Sequence, residues 1–113
     1  PAVAVTTNVL LGVGGGIAAY KLAYVASRLV PKGAQVRVAM TPHATEYVGA
    51  LTFEGLTGSK VIRSSTQIDD DGSPPHIAAA RAAAVYVVAP ATADLLARLA
   101  AGAAADAVSL LAL

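Results

Sequence analysis

The chain has 113 residues, of which 56% are hydrophobic and 13% charged, with a formal net charge of +1. That is enough apolar material for one packed domain and too little charge for a disordered chain. Lysines and arginines occur singly and the aromatic residues are only one Phe and four Tyr, so no basic stripe or stacking platform for nucleic acid is present.

Cysteine is absent, which excludes a disulfide framework or a thiolate metal site within these residues. No stretch reaches the roughly 18 uninterrupted apolar residues of a membrane span. The opening PAVAVTTNVLLGV lacks the basic segment of a secretory signal and runs into a glycine turn. A soluble, cytoplasmic protein with no nucleic-acid or membrane partner is the expectation.

From Val9 to Val13 the residues are apolar without alternation, the pattern of a strand buried on both faces. Gly14 to Gly16 break it, and Ile17, Tyr20, Tyr24, Val25 and Leu29 then recur at helical spacing, predicting a helix that packs through that side. Val30-Pro31-Lys32-Gly33 ends the helix, with Gly33 suited to a left-handed cap. Gln35 to Met40 alternates as a strand. Ala44 to Gly49 and Leu51 to Leu56 read as two short helices, the second ended by Gly58, and Val61 with Ile62 as a short strand. Arg63 to Pro75 is the long polar stretch and reads as a loop. A helix over His76 to Ala83, a buried strand over Val85 to Pro90 and a helix over Thr92 to Ala101 follow, the last with Leu95, Leu96 and Leu99 on one side. The final AAADAVSLLAL reads as another helix or the approach to a further strand.

This alternation builds an α/β fold, a parallel sheet with helices on both faces. Doubly wound sheets usually carry about five or six strands, and three are convincing here, so the fold is expected to be truncated at its C-terminal end or covered by neighbouring subunits.

The glycines after the first strand stand where a dinucleotide fingerprint would place a pyrophosphate. Ile17 occupies the position of the third glycine of that pattern, and the second strand ends in Met40-Thr41-Pro42, where a ribose-binding site would have an acid. The P-loop lysine and hydroxyl are also missing. The remaining readings are an anion-binding turn for a phosphate monoester, backed by Thr41 and Thr45, and a glycine turn that only lets a helix pack closely on the sheet.

The segments LLGVGGGIAAYK, VRVAMTPHATEYVGALTFEGLTGSKV, PPHIAAARAA and VYVVAPATADLLARLAAG resemble, in order and spacing, the flavin-dependent cysteine decarboxylases. That family comprises the decarboxylase domain of phosphopantothenoylcysteine decarboxylases and the peptidyl-cysteine decarboxylases. The resemblance covers about Asn8 to Ser109 and implies a single flavoprotein domain over residues 1–113 with a Rossmann-like, flavodoxin-type sheet and FMN as cofactor. It implies that Gly15, Gly16, Ile17 and Thr41, with Thr45, hold the cofactor phosphate. Pro90, Ala91, Thr92 and Ala93 would lie along the flavin. It further implies a homotrimer or homododecamer with its sites between subunits.

His76 follows Pro74-Pro75 at a helix start, where the helix dipole disfavours imidazolium and leaves a neutral proton acceptor. On position alone it is a solvated histidine; the match of HIAAAR to the family's catalytic segment makes it the active-site residue. The implied substrate is a small molecule or peptide ending in cysteine with a free carboxylate. Hydride leaves its β-carbon for the flavin as the thiol loses its proton, the resulting thioaldehyde drives loss of CO2, and an enethiol remains. His76 would serve as general base or electrostatic partner. The housekeeping decarboxylase of coenzyme A biosynthesis is the leading expectation, a peptidyl-cysteine decarboxylase the second, and a non-catalytic flavin-binding subunit the third.

His43 reads as a loop residue, and Lys21 and Arg98 as exposed helix positions open to salt bridges. Asp94 reads as a helix cap. Asp69, Asp70, Asp71 and Gly72 lack calcium-loop spacing, so no metal is expected. Two positions depart from the family pattern: Ala83-Ala84 replaces Ala-Asp, and Ala105-Asp106 replaces a polar pair, leaving Asp106 as the group expected near substrate. The chain also stops short of the family's Pro-x-Met-Asn clamp and cysteine-bearing flap, so a chain of this length is expected to turn over poorly.

Overall fold

A computed structural model describes residues 7–64, 67, 75–104 and 106–112, with the side chains of residues 75–78 outside that description. Strand β1 (Asn8–Val13) lies between β2 (Gln35–Met40) and β3 (Val85–Val88) in a parallel sheet of order β2-β1-β3. Val9 stands opposite Val36 on one side and Val85 on the other, and Gly12 opposite Ala39 and Val88. The expected strand at Val61 and Ile62 is a single bridge: the Ile62 N–H donates to the Val38 carbonyl at 2.8 Å, and the Ile62 carbonyl accepts from Met40 N–H at 3.0 Å.

Alternate residues of β1 point into two separate cores. Val9, Leu11 and Val13 pack with Val36, Val38 and Met40 under helices α1 (Ala19–Leu29) and α2 (Ala50–Thr57), where Phe53 is fully buried. Leu10 points the other way, onto α4 (Ala93–Ala101) and α5 (Ala107–Leu111) through Leu95, Ala107, Val108 and Leu111. Helix α3 (Pro75–Ala82) packs on that same side through Ala79. Strand β1 is therefore covered on both faces, as its pattern requires.

Helix α1 turns a different side inward from the one its apolar spacing suggested. Its buried residues are Ala19, Leu22 and Ala26, whereas Ile17 is 83% exposed and Tyr24 62% exposed. Strand β3 also differs from expectation. It is an edge strand among the described residues, and Val85 and Val87 are exposed instead of buried on both faces. Leu96 is likewise exposed while Leu95 carries the contact with the sheet. The region Ala44 to Gly49 forms only a 3-10 turn over Ala44–Glu46. The helix stop after α1 is as read, with Gly33 at φ 92° in the left-handed region. The chain's last described residues form α5, capped by Asp106. The polar loop from Arg63 to Pro75, including Asp69 to Gly72, falls largely outside the described residues, as does Ala105.

Gly12 sits mid-strand for a packing reason. A Cβ there would lie 2.6 Å from the Tyr86 hydroxyl and 3.0 Å from Val108. That space is taken by the Tyr86 phenol, which crosses from β3 and donates to the Val108 carbonyl at 2.6 Å, tying α5 to the sheet. Burial pushes this phenol well above the usual tyrosine range, so it remains a donor. Gly12→Ala is expected to destabilise the fold by about 1–3 kcal/mol through overpacking, measured by urea unfolding.

Candidate functional site

The parallel order brings the C-terminal ends of all three strands to one edge, where ligands of open α/β sheets bind. From β1 the chain enters α1 through Gly14, Gly15 and Gly16. The helix starts at Ala19, and its N-cap residue, Ala18, gives no side-chain cap. The N–H groups of Gly15, Gly16 and Ile17 meet no acceptor among the described residues. Uncapped donors at a helix start are a local positive end that an anion can satisfy.

Two close contacts explain the glycines. A Cβ on Gly14 would fall 2.1 Å from the Pro90 carbonyl oxygen, so the turn after β1 rests directly on the turn after β3. A Cβ on Gly15 would fall 2.3 Å from the His43 ring. Gly16 faces the Pro90 ring at ordinary contact distance, 3.5 Å from such a Cβ. The Ala89–Pro90 peptide is cis.

Thr41, just past β2, is 3% exposed. Its Oγ1 accepts from Ala44 N–H at 3.0 Å, but its own proton meets no acceptor among the described residues. A buried hydroxyl with an unspent donor is costly unless something completes it. Thr92 caps α4, accepting from Leu95 N–H at 3.1 Å. Gly15, Thr41 and Thr92 line one cavity of about 270 Å³ together with His43, Asp94 and Arg98.

Other expected site residues lie elsewhere. Thr45 lines a larger concavity of about 870 Å³, which Thr41 also lines, with Glu54, Lys60 and Arg63. Its hydroxyl is spent on the Pro42 carbonyl at 2.6 Å. The side chains of Ile17, Ala91 and Ala93 are exposed along the two turns. His76 is the second residue of α3, and its side chain lies outside the described residues.

Asp106 is committed structurally. Its Oδ1 accepts from Ser109 N–H at 2.9 Å, closing a capping box on α5, and its Oδ2 pairs with Arg98 Nη1. Arg98 Nε also holds Asp94 Oδ2 at 3.1 Å. Asp106 does not line the cavity that Arg98 lines. The side chain of Asp94 is 81% exposed and that of Asp106 only 6%. Asp94 thus partners Arg98 instead of capping α4. Neither His43 nor Arg98 was singled out as a site residue, because only the fold brings them to Gly15 and Thr41.

A family model described as Flavoprotein matches residues 3–113. The chain belongs to the Flavoprotein family. This flavoprotein chain is 45% identical over 95 residues to the coenzyme A biosynthesis bifunctional protein CoaBC of Vibrio parahaemolyticus, a match covering 84% of the chain and 24% of the relative. It spans about a quarter of the length of such curated relatives. Among solved structures it resembles the FMN-dependent cysteine decarboxylase TvaF from thioviridamide biosynthesis, with a TM-score of 0.82 and 26% identity over 93% of this chain and 65% of that one. The FMN-dependent cysteine decarboxylase SpaF gives a TM-score of 0.81 and 30% identity over 94% and 61%. The Rossmann-like, flavodoxin-type architecture of the flavoprotein is that of these neighbours.

Removing Arg98 strands a buried carboxylate. Arg98→Met is expected to cost about 2 kcal/mol in urea unfolding, the cost of breaking a buried pair reduced for partial exposure. Asp94→Asn, at an exposed pair, is expected to cost less than about 0.5 kcal/mol in the same measurement.

Proposed function

We propose that residues 1–113 form one cytoplasmic flavoprotein domain that binds FMN and serves the decarboxylation of a cysteine-derived substrate with a free carboxylate. The cofactor reading is carried by the buried Thr41 hydroxyl, whose unspent donor stands at the same sheet edge as the uncapped start of α1. These neutral donors suit one phosphate group better than a diphosphate, which would require a longer glycine cradle.

Gly15, Gly16 and Ile17 offer backbone N–H groups to the FMN phosphate, and Thr41 offers its hydroxyl. The turn Pro90-Ala91-Thr92-Ala93 lies along the flavin and is fixed from below by Gly14. FMN supplies the hydride acceptor that allows the carbon bearing the carboxylate to release CO2. His76 takes the thiol proton or balances charge on the reacting thiol or carboxylate.

Phosphopantothenoylcysteine is the leading substrate, supported by 45% identity to a coenzyme A biosynthesis protein against 26% and 30% to the two cysteine decarboxylase structures. A peptide ending in cysteine is the second reading, supported by the TM-score of 0.82 to TvaF. Incubating the FMN-loaded protein with each substrate and following loss of CO2 by mass distinguishes them. Activity on phosphopantothenoylcysteine that falls at least about 100-fold in His76→Asn is expected, the scale of a lost general base. A protein that binds FMN but acts on neither substrate would be a non-catalytic flavin carrier.

A homotrimer or homododecamer is supported by the outward side of α1, where Ile17, Tyr20, Tyr24 and Val25 are all exposed. A contiguous apolar face of that kind marks an association surface. Tyr24→Glu is expected to lower the mass measured by light scattering, and an unchanged mass would remove α1 from the interface.

A further inference from the structure

His43 does more than turn the chain after β2. Its ring lies against Gly15, so close that a Cβ there would come within 2.3 Å of it, and it lines the cavity shared by Gly15, Thr41 and Thr92. The other charged groups of that cavity are Asp94 and Arg98, and Arg98 is already bound to Asp106 as well. Arg98 is thus shared between two carboxylates, Asp94 and Asp106. Among the described residues lining that cavity, a phosphate meets neutral donors from the α1 turn and Thr41, and the one guanidinium is already paired.

We propose that His43, as imidazolium, is a binding group for the phosphate of the ligand held by Gly15 and Thr41, and makes that binding depend on pH. This rests on the FMN reading above. The groups facing the imidazole are few. Glu46 Oε2 lies 3.9 Å from Nε2, and Tyr47 stacks on the ring with centroids 5.4 Å apart and planes 15° apart. Asp94 and Arg98 face it across the cavity from α4. The turn after β1 presents no titratable side chain, only Gly14, Gly15, Gly16 and Ile17. Tyr47 stacking holds the ring plane beside Gly15.

The sign follows from which form binds. Only the protonated ring carries a positive charge, so any gain in phosphate binding from His43 is larger under acid than under alkaline conditions. The phosphate itself has a second ionisation near pH ~6, but that change is common to every variant and cancels in a ratio.

Apoprotein is titrated with FMN and with riboflavin, following flavin fluorescence from pH 5.5 to 8.5, for the wild type, His43→Gln and His43→Lys. The wild type is expected to bind FMN about 5-fold more tightly than His43→Gln at the acid end, the worth of one partly exposed charge-assisted hydrogen bond. That ratio should fall to about 1 at the alkaline end. Riboflavin, which lacks the phosphate, should show no such ratio at any pH. His43→Lys should keep tight FMN binding across the range. Parallel pH profiles for wild type and His43→Gln, or an equal effect on riboflavin, would overturn the role of His43 while leaving the FMN reading intact. Failure of the wild type to bind FMN at all would instead remove that reading, and with it this inference.

Discussion

The close contact between Gly14 and the Pro90 carbonyl is the constraint on which the site depends. It sets two turns, one leaving the central strand and one leaving an edge strand, against each other with no side chain between them. Had Gly14 a Cβ, one turn would have to lift, and the N–H groups of Gly15 to Ile17 would separate from Thr92. The sheet order already brings the strand ends to one edge. The glycine brings them into contact. An anion site made of neutral donors depends on such convergence, because each donor is weak and geometry alone makes them act together.

Electrostatics then ties this edge to the end of the chain. Arg98 reaches from α4 to Asp106, and Asp106 in turn closes the first turn of α5 through Ser109. One carboxylate thus serves as an ion-pair partner and as a helix cap. This use of Asp106 offers an account of how a chain that has Ala105 where a polar residue is expected retains its Asp106. Its value to the fold is independent of any contact with substrate.

Much of this was legible in the sequence, and the gaps have identifiable causes. The strand over Gln35 to Met40 and the stop at Gly33 follow from alternation and from backbone conformation, both local properties. The inward side of α1 was not legible, because the helix is apolar on more than one side. Ile17, Tyr20 and Tyr24 give the stronger periodic signal, while the residues buried are Ala19, Leu22 and Ala26. Likewise the apolar run of β3 cannot distinguish a strand covered on both faces from an edge strand with exposed valines. At the site, the glycine turn and Thr41 were legible as phosphate-binding candidates from spacing. The approach of His43 to Gly15 was not, since it depends on how the turn after β2 folds over the turn after β1, a long-range contact with no periodic trace.

The position of β1 also governs the order in which the molecule can be completed during synthesis. The central strand is made first, and β2 can pair with one side of it soon afterwards. Its other edge waits for residues 85–88, and the face bearing Leu10 waits for α5, which follows still later. Until those residues emerge, a nascent chain on the ribosome carries a half-paired apolar strand, a state open to aggregation and suited to protection by chaperones. The last helix is small, yet its arrival closes the second face of the sheet.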